Sequence, residues 1–110
     1  MINVMINRNN SGNIIAFELD GHADSGPYGY DLVCAAVSAV AFGMTNAVIE
    51  LTEIEPIIDQ GGQGGYLKVV LPDGLSDQVL EKAGLLLEGM LTSLKTIERD
   101  YGQYISISEK

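Results

Sequence analysis

Residues 20–40 read Asp-Gly-His-Ala-Asp-Ser-Gly-Pro-Tyr-Gly-Tyr-Asp-Leu-Val-Cys-Ala-Ala-Val-Ser-Ala-Val. This stretch carries the chain's only histidine, His22, and its only cysteine, Cys34. Three segments of different character follow one another in it: the end of a strand, a loop rich in glycine and proline, and the start of an apolar helix. The loop holds Gly21, Gly26, Pro27 and Gly29, residues that permit or fix unusual backbone angles. Tyr28 and Tyr30 add two amphipathic rings. A segment of this composition suits either an ordinary surface connection or a lid that orders on a substrate.

Asp31 stands directly before the apolar run and is a good N-cap residue, its carboxylate accepting a hydrogen bond from a backbone N–H two or three residues on. With Asp31 as cap, Cys34 falls in the first helical turn. The unpaired N–H groups and the helix macrodipole favour an anion there, and the thiolate is the nucleophilic form of cysteine. An imidazole on the preceding strand end would complete a Cys-His pair. A lone cysteine is equally at home as a small buried core residue, and a lone histidine as a satisfied polar group at a strand end. These residues by themselves leave both readings open.

Outward from this stretch, the chain has the length of one small domain, residues 1–110. Met1 to Asn7 alternates apolar and polar residues and reads as a half-buried strand. Arg8 to Gly12 is turn material, and Ile14 to Leu19 is a second strand, so the two predict a hairpin that delivers His22 to the end of a sheet. Asp31 to Thr52 predicts a long helix, apolar on most sides and therefore expected to bury two of them. Asp59 to Gly65 is a second glycine-rich stretch. It lacks the Lys-Ser/Thr ending of a phosphate loop and reads as a mobile turn into a strand over Tyr66 to Leu71. Ser76 caps a second, amphipathic helix with the stripe Val79, Ala83, Leu86, Leu87, Met90, Leu94 and Ile97. Tyr104 to Ser108 alternates again as a last strand. The order strand, strand, helix, strand, helix, strand predicts an α+β two-layer domain, a small mixed sheet of undetermined strand order with two long helices.

Composition excludes several classes. The formal net charge is −9 and the sequence pI about 4.2, which argues against direct binding of nucleic acid and favours basic partners. One cysteine cannot form an internal disulfide, so a reducing, cytoplasmic setting is expected. No secretory leader is recognisable, and no apolar stretch looks long enough to span a bilayer, so no membrane partner is expected. A metal site would need three or four ligands, and no cofactor is expected. The exposed side of an apolar helix in so small a domain suggests a homodimer. Asp20, Asp24 and Asp31 flank His22; on so acidic a chain they read mainly as solvated loop charge, although Asp31 could orient the imidazole. Ser38, one turn beyond Cys34, either lines a site or bonds back to its own helix.

Gly21-His22-Ala23, Tyr28-Gly29, Asp31 and Cys34 to Ser38 resemble the signature of the ribosomal-processing cysteine protease family, Prp. The order and spacing of His22 and Cys34 match, and the resemblance extends through the second helix with its Leu87 to Met90 segment. It implies a cysteine endopeptidase with His22 as general base and Cys34 as nucleophile. Backbone N–H groups at the helix start, that of Cys34 among them, would hold the oxyanion. The implied substrate is the short N-terminal extension of large-subunit ribosomal protein twenty-seven, held under the Gly21–Tyr30 loop, and the implied assembly is a dimer. The competing expectation is a non-catalytic ribosome-associated binding or assembly module with Cys34 as an inert core thiol.

Overall fold

A computed structural model describes residues 1–22, 31–62 and 64–110. Five strands and two helices follow in the order β1 (Ile2–Arg8), β2 (Ile14–Asp20), α1 (Leu32–Thr52), β3 (Ile57–Asp59), β4 (Tyr66–Val70), α2 (Asp77–Tyr101) and β5 (Ile105–Glu109). The strands form one mixed sheet in the order β3-β4-β2-β1-β5, parallel only between β1 and β5.

Alternation along the strands decides which face is covered. Val4 pairs with Leu19 and Ile6 with Phe17 across β1 and β2, while Phe17 pairs with Val69 and Leu19 with Leu67 across β2 and β4. All of these point to one face and lie in a single apolar cluster with Val33, Val37, Ala41 and Val48 of α1 and Ala83, Leu87, Met90, Leu91 and Leu94 of α2. Both helices therefore cover the same side of the sheet, which is the α+β two-layer arrangement expected. A bulge between β1 and β2 leaves Ile15 without an opposite residue, because Asn7 pairs with Ala16 and Arg8 with Ile14. The extra residue returns Ile14 to the covered face. There Arg8 reaches Glu88 on α2 and Glu109 on β5, the latter at 3.0 Å.

The structure departs from the sequence reading in three places. First, Ile57–Asp59, for which the sequence predicts no strand, is a short edge strand paired antiparallel with β4. Asp59 ends β3, and the glycine-rich stretch after it connects the two strands of a β3–β4 hairpin. Second, α1 buries one stripe, Val33, Val37, Ala41, Thr45 and Val48, and not two sides. Leu32, Leu51 and, on α2, Leu85 are each more than two-thirds exposed. Third, the expectation that no segment is apolar and long enough to cross a bilayer is corrected. α1 has 21 residues and a mean hydropathy of 2.0 over its most apolar window, which satisfies both measures. Its buried stripe is part of the sheet's own core.

Topology places the helix starts. β3 is antiparallel to β4, and β4 to β2, so β2 and β3 run the same way. α1 joins the carboxyl end of β2 to the amino end of β3 and must run back along the sheet. Its first turn thus lies at the end of the sheet from which Asp20, Gly21 and His22 emerge. The other end of α1 agrees: Leu51 and Thr52 line a groove with Lys82, Leu85 and Leu86 near the start of α2.

Candidate active site

Two glycines fix how the chain leaves β2. Gly21 has φ +101°, in the left-handed region, and a side chain there would run into the Met1 carbonyl oxygen. Only glycine meets both constraints. The Gly21 N–H donates to the Gly65 carbonyl at 2.8 Å, and the Met1 amino group donates to the His22 carbonyl at 2.6 Å. His22 is thereby held on its backbone from two sides while its residue stays exposed. Gly65, with φ +70°, closes on the ring: a Cβ built there would lie 2.5 Å from Nε2 and 2.9 Å from Cε1 of His22. The second glycine-rich stretch, read from sequence only as a turn, supplies this neighbour.

The helix start is built as its residues dictate. Asp31 adopts an extended conformation, and its carboxylate accepts a hydrogen bond from the Cys34 backbone N–H at 2.9 Å. Asp31 is the N-cap and Cys34 the third helical residue. The cap corrects one expectation, because the Cys34 N–H assigned to an oxyanion is engaged by Asp31. The next donor is engaged too, Ala35 N–H bonding the Asp31 carbonyl at 3.0 Å. Cys34 itself is half-buried and packs against the core. Ser38, one turn on, is exposed, and among the described residues its hydroxyl has no hydrogen-bond partner, so the bond back to its own helix, one of its two readings, is not formed. The remaining residues assigned to the substrate loop, Gly26, Pro27, Tyr28, Gly29 and Tyr30, and the flanking Asp24, lie outside the described residues.

β4 begins beside His22 and is latched to β2. Tyr66 follows Gly65, pairs with Asp20 across the ladder, and donates its hydroxyl to the Glu18 carboxylate at 2.6 Å. That hydrogen bond, partial burial, and the charges of Glu18, Asp59 and Asp20 push the Tyr66 phenol up to about 12. Residue spacing carries no signal for this latch, since it depends on strand order. Among the described residues, no three His, Cys, Asp or Glu side chains are grouped to hold a metal ion.

The family model described as cysteine protease Prp matches residues 1–106. The chain belongs to this family. It is accordingly a cysteine protease, a hydrolase. Two relatives bear the name ribosomal processing cysteine protease Prp. The one from Bacillus subtilis is 46% identical over 98% of this chain and 96% of its own length. The one from Staphylococcus aureus is 43% identical over the full length of both. Among solved structures, the S. aureus Prp with a covalently linked product peptide superposes with a TM-score of 0.90 at 43% identity, covering all of both chains. The S. aureus Prp with a substrate peptide gives a TM-score of 0.84 at 42% identity, again over the whole of both chains.

Proposed function

We propose that this protein is a cytoplasmic endopeptidase that removes the N-terminal extension of large-subunit ribosomal protein twenty-seven, with Cys34 as nucleophile and His22 as general base. One observation carries the catalytic part: a cysteine protease needs a thiol, and this chain has a single cysteine. Cys34 stands in the first turn of α1, at the positive end of the helix macrodipole. The only histidine leaves the sheet at the same end. His22 would take the thiol proton as Cys34 attacks the scissile carbonyl, then return it to the departing amine; water would release the acyl group from sulfur. Asp31 would act through the helix start, as cap of the turn that presents the thiol.

The substrate reading draws on the relatives, which are named for ribosomal processing and include a protein solved with a substrate peptide. A net charge of −9 favours encounter with basic ribosomal proteins. The outer side of α1, with Leu32, Ala35, Ala36, Ala39 and Phe42 exposed, supports a homodimer, since isolated small domains rarely leave such a surface uncovered. Direct nucleic-acid binding is disfavoured by the same acidity. The test is to incubate the protein with the extended ribosomal precursor and read the products by mass spectrometry. Cleavage is expected from the parent chain, and none from Cys34→Ala or His22→Ala with the fold retained. Turnover by Cys34→Ala would overturn the mechanism.

A further inference from the structure

We infer that Gly65, on the β3–β4 hairpin, is a positioning residue for the His22 imidazole: its bare Cα forms the wall against which the ring is set. The inference rests on the reading of His22 as general base. A Cβ at residue 65 would meet three ring atoms of His22, at 2.5 Å from Nε2, 2.9 Å from Cε1 and 3.2 Å from Cδ2. The contact is with the working end of the side chain, since Nε2 is one of the two atoms that exchange a proton. Backbone hydrogen bonding fixes the wall itself, through Gly21 N–H to Gly65 O at 2.8 Å. The Tyr66 hydroxyl then ties the next residue to Glu18 at 2.6 Å. The histidine and its wall are therefore parts of one ladder, and the ring cannot turn towards residue 65 beyond the point of van der Waals contact. A methyl group there would push the imidazole away by about an ångström, a displacement of the size that costs about 100-fold in rate when a reacting group is misplaced.

The same turn contains its own control. Gly64 also has a positive φ, +74°, but a Cβ on it meets nothing within 4 Å. Gly64→Ala and Gly65→Ala impose the same kind of backbone strain, and only the second touches His22. With a peptide spanning the cleavage site, Gly65→Ala is expected to lower kcat by about 100-fold with KM little changed, whereas Gly64→Ala keeps the parent kcat. Equal losses in the two variants would reduce the effect to strain and overturn the inference. The second measurement needs no variant. His22 is the only histidine, so its ring protons are unambiguous in the NMR spectrum of the unsubstituted protein. A nuclear Overhauser effect between them and the Gly65 α-protons is expected; its absence overturns the inference even where Gly65→Ala fails to fold. Failure of the underlying reading looks different: His22→Ala would retain turnover, which removes any positioning role while leaving the Overhauser contact in place.

Discussion

The backbone N–H of Cys34 donates to the Asp31 carboxylate at 2.9 Å. The residue that would do the chemistry is also the residue that closes the helix cap. The Asp31 charge thus sits within the same turn as the thiol and is partly spent on the cap bond. Nucleophile position and helix stability are consequently coupled through one hydrogen bond.

Substitutions at position 31 should separate the two roles. Asp31→Ala removes the cap and is expected to lower stability by ~1 kcal/mol. Asp31→Asn keeps an acceptor oxygen in place and should restore both stability and turnover. Denaturant melts and peptide cleavage on the two variants check this. A stable Asp31→Asn protein with little turnover would instead assign the carboxylate charge to the chemistry, as an orienting group for His22.

Tyr66 should ionise well above the ordinary range of a phenol. Its phenol is raised from 10.0 to about 12, first by the hydrogen bond it donates to Glu18. A raised folded-state value means that the neutral form is favoured by folding. The contribution is fully present below pH 10 and disappears as pH rises towards about 12. An absorbance titration should show a phenolate step near 12 that Tyr66→Phe deletes. The same substitution should lower stability at neutral pH and lose that effect in strong alkali.

Arg8 joins the first strand to the last and to α2. It bonds Glu88, bonds Glu109 at 3.0 Å, and donates to the Gly12 carbonyl at 2.8 Å, while Lys95 also pairs with Glu109 at 3.3 Å. These groups are partly exposed, so Arg8→Ala is expected to cost only ~1 kcal/mol at neutral pH. Arg8 and then Lys95 hold the Glu109 carboxyl below its ordinary 4.5. A depressed value contributes stability above 4.5 that is lost as pH falls through the folded-state value. The gap between parent and Arg8→Ala in denaturant melts should therefore shrink in acid and in high salt.

Ala39 lies at the middle of the exposed side of α1. A glutamate there is accommodated by a monomer but not in an apolar interface between two copies. Ala39→Glu is expected to sediment as a monomer and to melt at a temperature independent of protein concentration, in contrast to the parent. A dimer that survives the substitution would place the interface elsewhere.

Local signals carried much of the fold. Asp31 and Ser76 marked both helix starts correctly, and the Cys34 N–H and Val79 N–H donate to those cap side chains at 2.9 and 3.2 Å. Strict alternation in Ile2, Val4 and Ile6, and in Leu67 and Val69, reported the covered side of the sheet. Ile57–Asp59 escaped notice because three exposed residues have no period of their own; they are a strand only because β4 pairs with them. Strand order was illegible for a related reason, since the β1–β5 ladder joins opposite ends of the chain. At the site, His22, Cys34 and Asp31 stood out by residue type and spacing. Gly65 did not, because what distinguishes it is a neighbour brought from another strand.

The parallel pairing of Ile2 with Ile105 also sets an order of events. β1 and β2 are joined by a short turn and can zip together as soon as both have been made. β5 can join them only after everything between has been synthesised, and closing a loop of that span is the slowest kind of contact to form. During synthesis β1 therefore remains an open edge on one side, and the core under α2 stays incomplete. The chain acquires its full stability in a single late step, when the last strand slides in beside the first.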